Sequence, residues 1–369
     1  MSGIPFPLEQ RFKRQCPCYN MEKERVIVVS TIYPSALTLN STFAITAPSS
    51  GVPAPLHYKI HKAKSQLEML CAHVIIGETV WTQQAARSSS AETRANELMA
   101  YLTDPAIDAI MPPWGGELLV QVLPKLDWDK ISKSKPTWLI GYSDSSTLLC
   151  SYTLQTNIAS AHATNFFDLN MEALDGTTKQ WHKILSAPSR NHVVQHSSPM
   201  YQSSWDALFE LENPVGFDLD SNTEWKSTTS EAVSFTGRLI GGCLNTLTTI
   251  AGTKYAPIKK WRESFEEDTI VYLEWLDWCT AETYRNLWHL KEHGWFEGAS
   301  GLLFGRPSRS EPSEDYDDVQ MIHEFAEEIG LPIIFDADIG HMPPQFTMIN
   351  GSLATASFKD GKGTLTYLE

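Results

Sequence analysis

Six cysteines in 369 residues, no hydrophobic run near the ~20 residues that cross a bilayer, and a shortage of basic side chains bound what this chain can be. The cysteines stand at 16, 18, 71, 150, 243 and 279. Cys16 and Cys18 are too close for an ordinary disulfide or a zinc knuckle, and no second pair has metal-ligand spacing. Reduced thiols in a cytoplasm fit this pattern, and no metal is expected. Lys and Arg total 29 against 44 Asp and Glu, a net charge of −15. No basic cluster is large enough to neutralise phosphates, which excludes a nucleic-acid polymer as partner and disfavours an anionic membrane surface. The acidic balance mainly implies solubility. The first residues hold no apolar core of a signal peptide, so a cytoplasmic protein is expected. Residues 1–34 are poor in structure signals and read as an extension.

What is present is an alternation of strand-like and helix-like segments. Thr42 to Ala47 reads as a buried strand followed by the turn Pro48-Ser-Ser-Gly51. A helical pattern covers residues 55–71, and His73 to Gly77 is a second strand. Ala91 to Leu102 is an amphipathic helix, Ala106 to Met111 a third strand, Leu118 to Leu123 a helical piece, and Thr137 to Ile140 a fourth strand. This order predicts a parallel sheet with helices on both faces, whose ligands bind at the carboxyl ends of strands. Residues 165–235 mix short apolar pieces with Ser, Asn, Pro, His and Trp, and read as a linker plus an inserted specificity segment. Order returns with a Gly-rich turn and helix from Gly237 to Leu247. A strand follows at Thr269 to Glu274, a helix at 281–293, a strand at Ala299 to Phe304, a helix at Asp317 to Ile329 and a strand at Pro332 to Phe335. Ser352 to Leu368 reads as a hairpin around Lys359-Asp-Gly361. The expected units are an α/β domain at 35–164, the linker and insertion at 165–235, and a second domain at 236–369.

Chemistry is best placed at Gly141-Tyr-Ser143-Asp144. A serine on a tight strand-to-helix turn exposes its hydroxyl, and the next backbone N–H, of Asp144, can face an oxyanion. The second Gly of G-x-S-x-G is missing, and a helix N-cap serine fits the same string. A nucleophilic serine needs a base and an orienting carboxylate. Among the 11 histidines, His289 and His293 are four apart on a helix. They lack a zincin Glu and a third ligand, so they read as a surface pair, as do His57 and His61. His162, His182, His192 and His196 read as polar loop residues. His341 stands in Asp336-Ala-Asp-Ile-Gly-His-Met-Pro-Pro-Gln345, a loop just after a buried strand, where side chains reach the rim of a sheet. Glu274 closes another apolar strand beside Trp275, as an orienter of an imidazole or as a solvated strand end.

The chain resembles the LD-carboxypeptidase family of serine peptidases, which includes microcin-immunity peptidases. The matching pieces are Ala47-Pro-Ser-Ser-Gly51, Arg94-Ala-Asn-Glu-Leu98, Asp108-Ala-Ile with Gly115-Gly116, Leu123-Pro-Lys-Leu-Asp127, Gly141-Tyr-Ser-Asp144, Gly237-Arg-Leu-Ile-Gly-Gly242, Leu273-Glu274, and Gly340-His341 with Pro344-Gln345. They run in family order over residues 33 to 369. The resemblance implies a flavodoxin-like α/β amino-terminal domain and a smaller β-rich mixed carboxy-terminal domain. It implies Ser143 as nucleophile, Glu274 as acid and His341 as base, with an oxyanion hole from Gly116 and Asp144 and no cofactor. Trp114, Cys243 and Trp275 depart from the family pattern beside these elements, which leaves the substrate pocket open.

The family cleaves either murein tetrapeptides or, in the immunity branch, peptidyl- or aminoacyl-nucleotides. The long Trp-rich segment between serine and acid points to the second class, with Trp114, Gly115, Trp205 and Trp225 as substrate-binding candidates. Tryptophan can stack on a nucleobase, although core packing explains the same residues. The expected activity is therefore amide hydrolysis in an aminoacyl-nucleotide, with a murein tetrapeptide as the alternative and a non-catalytic small-molecule-binding module as the second. Dimers are frequent in the family, so a homodimer is also implied.

Overall fold

The structure is a computed structural model that describes residues 30–71, 73–204, 215–229 and 232–369. Five early strands are β1 (Thr42–Ile45), β2 (His73–Ile76), β3 (Ala109–Met111), β4 (Trp138–Gly141) and β5 (Ser160–His162). Short strands β6 (Val194–His196), β7 (Met200–Tyr201), β8 (Ser221–Asn222) and β9 (Lys226–Ser227) follow. Then come β10 (Val233–Cys243), β11 (Thr269–Glu274), β12 (Ala299–Gly305), β13 (Ile333–Ala337), β14 (Met348–Asn350), β15 (Leu353–Lys359) and β16 (Lys362–Tyr367).

The first sheet has the order β14-β5-β4-β3-β1-β2. Its five early strands are parallel, as the alternation with helices requires. The sixth, β14, comes from near the end of the chain and pairs antiparallel with β5, Met348 opposite His162. The second sheet has eight strands in the order β6-β16-β15-β10-β11-β12-β13-β9. Its centre, β10 to β13, is parallel and buried, and its flanks are antiparallel. The β15–β16 hairpin turns at Asp360 and Gly361, both with positive φ, as Lys359-Asp-Gly361 suggests.

Helix α1 (His57–Glu68), α2 (Ala91–Leu102), α3 (Trp128–Lys133) and α4 (Ser145–Thr156) cover the first sheet. The α2 start is fixed by Ser90, which accepts a hydrogen bond from the Thr93 N–H. Eleven of the twelve α4 residues are buried, because this helix packs against β5 on one side and β10 on the other. It is the layer between the two sheets, and it ends where Asn157 turns left-handed (φ 59°).

Some expectations change. Gly237 to Gly242 is the interior of β10, with the helix starting only at Leu244. The glycines serve close approach: a Cβ on Gly241 would lie 1.8 Å from the Tyr272 carbonyl oxygen, and one on Gly242 would lie 2.6 Å from Ser146 Cβ. Leu118 to Leu123 forms short 3-10 turns, not a helix. Part of the expected linker supplies edge strands β6 and β9 of the second sheet; strands of two or three residues carry no readable alternation. The described end of the expected extension is folded in. Thr31 Oγ1 donates to the Gly351 carbonyl at 2.8 Å, and the Tyr33 hydroxyl donates to Glu369 at 2.5 Å. Cys16 and Cys18 lie outside the described residues, and Cys71, Cys150, Cys243 and Cys279 are free thiols. No helix among the described residues is long and apolar enough to cross a membrane.

Candidate active site

Three strand ends and one loop meet around a cavity of about 350 Å³, whose walls include Trp114, Gly115, Gly116, Tyr142, Ser143 and His341. Strand β4 stops at Gly141, and α4 begins at Ser145. Between them Ser143 has φ 64°, a left-handed conformation that costs a serine about 1–3 kcal/mol. The turn thus holds a side chain at the head of a helix, the geometry of an exposed nucleophile and not of a helix cap.

Asp144 closes that turn from beneath. Its buried carboxylate accepts hydrogen bonds from Ser49 Oγ (2.5 Å), Leu119 N (2.9 Å) and Thr147 Oγ1 (3.4 Å). Burial raises its carboxyl above the ordinary range, and these donors oppose the rise. The loop after β3 lies directly against the serine. A Cβ on Gly115 would come within 2.7 Å of Ser143 Oγ and 2.9 Å of the Asp144 nitrogen, so only glycine fits. Gly116 has φ 141° and lies as tightly against Ser49 and Ser50.

On the facing side, His341 Nδ1 and Glu274 Oε2 are 2.8 Å apart. Glu274 is fully buried and His341 is 5% exposed. Burial would raise the Glu274 carboxyl, but the His341 imidazole beside it holds it below the ordinary carboxylate range. The carboxylate sits in a slot made by two glycines: a Cβ on Gly340 would reach Glu274 Cδ at 2.7 Å, and one on Gly305 would reach Glu274 Cβ at 3.0 Å. The His341 ring also meets the Tyr142 ring edge-on at 5.2 Å, which ties the loop to the Ser143 turn.

The loop carrying His341 is held by Arg306, at the end of β12. Its guanidinium donates to Asp338 Oδ1 (2.6 Å) and to the carbonyls of Met342 (3.3 Å), Pro344 (3.4 Å) and Asp336 (3.2 Å). The other Asp338 oxygen accepts from Ser198 N (2.8 Å) and Trp225 Nε1 (3.2 Å). Arg94 does the same for the first sheet. It is fully buried and donates to the carbonyls of Pro48 (2.8 Å) and Leu118 (3.0 Å) and to Gln121 (2.7 Å). Ser49 and Arg94 stand inside the matched motifs and Asp338 inside the quoted His341 loop, but sequence reading assigned them no task; Arg306 gave no signal at all.

Of the substrate-binding candidates, Trp114 and Gly115 line the cavity. Trp114 packs on Phe167 with ring centroids 4.8 Å apart and donates to the Gly51 carbonyl. Trp225 does not line it. It is 1% exposed, bonded to Asp338 and packed on Phe346, so its ring fills the core behind the His341 loop. Trp205 lies outside the described residues. Trp275 is fully buried against Phe304 and points away, while the next residue, Leu276, lines the cavity. Cys243 is the register partner of Glu274 across β10 and β11. His289 and His293 stack on each other at 4.4 Å, and His57 and His61 pack on Trp81; neither pair lines the cavity. His162 is not a loop residue: it ends β5 and is fully buried. Among the described residues no group of three or more His, Cys, Asp or Glu is arranged to hold a metal.

The family model described as the LD-carboxypeptidase N-terminal domain matches residues 43–163, and the one described as its C-terminal domain matches residues 236–356. The chain belongs to the LD-carboxypeptidase family. It is a serine carboxypeptidase-type hydrolase. The microcin C7 self-immunity protein MccF of Escherichia coli is 26% identical over 76% of this chain and 80% of its own. A murein tetrapeptide carboxypeptidase of Pseudomonas aeruginosa is 23% identical over 82% of this chain and 89% of its own. The crystal structure of an MccF-like protein from Bacillus anthracis superposes with a TM-score of 0.78 at 24% identity, covering 91% of this chain and 99% of that one. That likeness shows the shared α/β fold of this LD-carboxypeptidase family member.

Proposed function

We propose that Ser143, His341 and Glu274 act as a catalytic triad that hydrolyses an amide bond in a peptidyl- or aminoacyl-nucleotide. The observation that carries this reading is that His341, paired at 2.8 Å with the buried Glu274, lines the same cavity as Ser143 on its left-handed turn. His341 takes the hydroxyl proton as Ser143 attacks the amide carbonyl. Glu274 orients the ring and stabilises the imidazolium. The N–H groups of Gly116 and Asp144 receive the oxyanion, each worth about 2.7–4 kcal/mol in such sites. The imidazolium then protonates the leaving amine, and a water molecule, activated by the same histidine, releases the acyl group.

The substrate class is supported by charge. Glu117 is the acidic residue of the cavity wall, and no Lys or Arg lines it among the described residues. Burial, with Asp144 and Asp277 nearby, raises the Glu117 carboxyl. A free terminal carboxylate, as in a murein tetrapeptide, would face this acid without a cation. The α-ammonium of an aminoacyl group would pair with it. Trp114 offers an aromatic wall for a flat ring. Crystal structures of MccF hold aspartyl sulfamoyl adenosine and glutamyl sulfamoyl guanosine, with TM-scores of 0.73.

The test offers both substrates to the wild-type enzyme side by side, with a fluorophosphonate probe as a readout of the serine. The aminoacyl-nucleotide is expected to be cleaved faster, the probe to label wild type but not Ser143→Ala, and the variant to lose at least about 10⁴-fold in kcat. Faster turnover of the murein tetrapeptide would overturn the substrate assignment, and an unlabelled wild type would overturn the triad.

A further inference from the structure

Glu274 uses one carboxylate oxygen on His341, and its other oxygen, Oε1, is buried with no hydrogen-bond partner among the described residues. A buried carboxylate oxygen left unpaired is costly, and native structures rarely leave one. The Cys243 thiol, the register partner of Glu274, also bonds to this carboxylate; the other polar group facing Oε1 is a second imidazole. His162 Nε2 lies 3.9 Å from Glu274 Oε1, and both ring nitrogens of His162 are themselves buried without a partner. Both side chains have no solvent exposure. Two orphaned polar groups thus face each other in a dry interior, beyond direct hydrogen-bond distance by about the reach of a small side-chain rotation.

We propose that His162 is a positioning residue of the acid–base pair: its Nε2–H holds the second oxygen of Glu274, directly after a small rotation or through one water, so that the carboxylate bridges two imidazoles. The inference rests on the triad reading given above. Burial drives the His162 pKa down to about 4, so the ring is neutral at working pH and carries one N–H. Neutrality is what the task needs. A second cation would compete with the imidazolium of His341 for the same carboxylate, whereas a neutral donor fixes its rotation and leaves its charge available.

The neighbours of His162 are consistent with a fixed tautomer. Tyr142 on the nucleophile turn and Tyr272 on β11 pack edge-on against it at 6.3 and 5.6 Å. Burial pushes both phenols well above their ordinary range, and burial with Glu274 does the same to the Cys243 thiol. Met348 of β14 lies opposite His162 and is neutral. Cys150 of α4 is likewise raised by burial. Asp168, which burial raises to about 6, couples to Tyr142 and His341. Of these neighbours Asp168 is the one that burial brings close to neutral pH, while Glu274 is held as a carboxylate.

The experiment compares His162→Phe, which keeps volume without a donor, with His162→Gln, which keeps a donor. His162→Phe is expected to lower kcat about 10- to 100-fold with KM unchanged, as loss of an orienting partner does elsewhere. With no N–H on its second oxygen, Glu274 binds protons more avidly and raises the proton affinity of the coupled His341. The acid limb of kcat/KM therefore moves to higher pH, and does so in an Asp168→Asn background as well. His162→Gln is expected to restore most of kcat and the limb. A His162→Phe enzyme within twofold of wild type with an unmoved limb overturns the proposal, and so does a folded His162→Gln enzyme as impaired as the Phe variant. Should His162→Phe not fold, the His341 Nδ1 proton resonance in His162→Gln decides: wild-type-like supports the role, and a resonance lost to solvent exchange overturns it. Fluorophosphonate labelling of wild type separates the cases. A labelled wild type with indifferent His162 variants sinks this inference alone, and an unlabelled one sinks the triad.

Discussion

The two sides of the cleft achieve precision by different means. Ser143 is placed by local backbone: a strand stops, one residue turns left-handed, and a helix begins two residues later. His341 is placed by long-range side-chain bonds: Arg306 gathers the loop carbonyls of Met342 and Pro344, the β13 carbonyl of Asp336, and Asp338, and Asp338 in turn anchors Ser198 and Trp225. A turn of this kind needs only a few adjacent residues. A loop of ten residues has no such internal rule, so a buried ion pair does the holding.

That contrast can be broken from either side. The largest effect is expected on the His341 side. Arg306→Met leaves Asp338 buried without its cation, and losing one partner of a buried pair costs about 3–5 kcal/mol. Denaturant unfolding should show that loss, and kcat should fall with it as the His341 loop loosens; a stability within about 1 kcal/mol of wild type would mean that the loop is held by packing instead. The next is on the Ser143 side. Gly115→Ala places a methyl 2.7 Å from Ser143 Oγ, so kcat should drop about 10²-fold while thermal stability changes little. A large stability loss without a kinetic one would show that the turn yields and the serine does not. The smallest concerns the wall between them. Glu117→Gln should raise KM for an aminoacyl-nucleotide with a free α-amine about 5- to 10-fold, on the order of 1 kcal/mol for an exposed pair, and leave an N-acetylated analogue unchanged. Equal shifts for both compounds would remove the ammonium contact.

The same contrast explains what was legible in the sequence. Most of the alternating elements, the five parallel strands of the first sheet and the Ser143 turn follow from runs of adjacent residues, and they lie close to where they were expected. Glu274 and His341 stand together as the family resemblance implied, although composition and spacing left Glu274 open as a solvated strand end. Two features were hidden because their cause is tertiary. Gly237 to Gly242 carries turn chemistry on paper, yet each glycine there is dictated by a neighbour 30 or more residues away in the chain, so the segment is strand. His162 has flanks as plain as those of any loop histidine, and only the stacking of β5, β11 and the His341 loop reveals it beside Glu274. Trp225 shows the opposite error: an aromatic in a polar segment invites a ligand, and the fold uses it as core.

Strand β14 has a further consequence. The sixth strand of the first sheet is made of residues 348–350, while the other five are complete by residue 162. During synthesis the edge of β5 therefore stays unpaired until residues 348–350 have left the ribosome, an adhesive margin open to other chains. The same late segment that closes this margin follows directly on the loop bearing His341, so the strand that seals the first sheet and the His341–Glu274 pair come from neighbouring stretches of the chain.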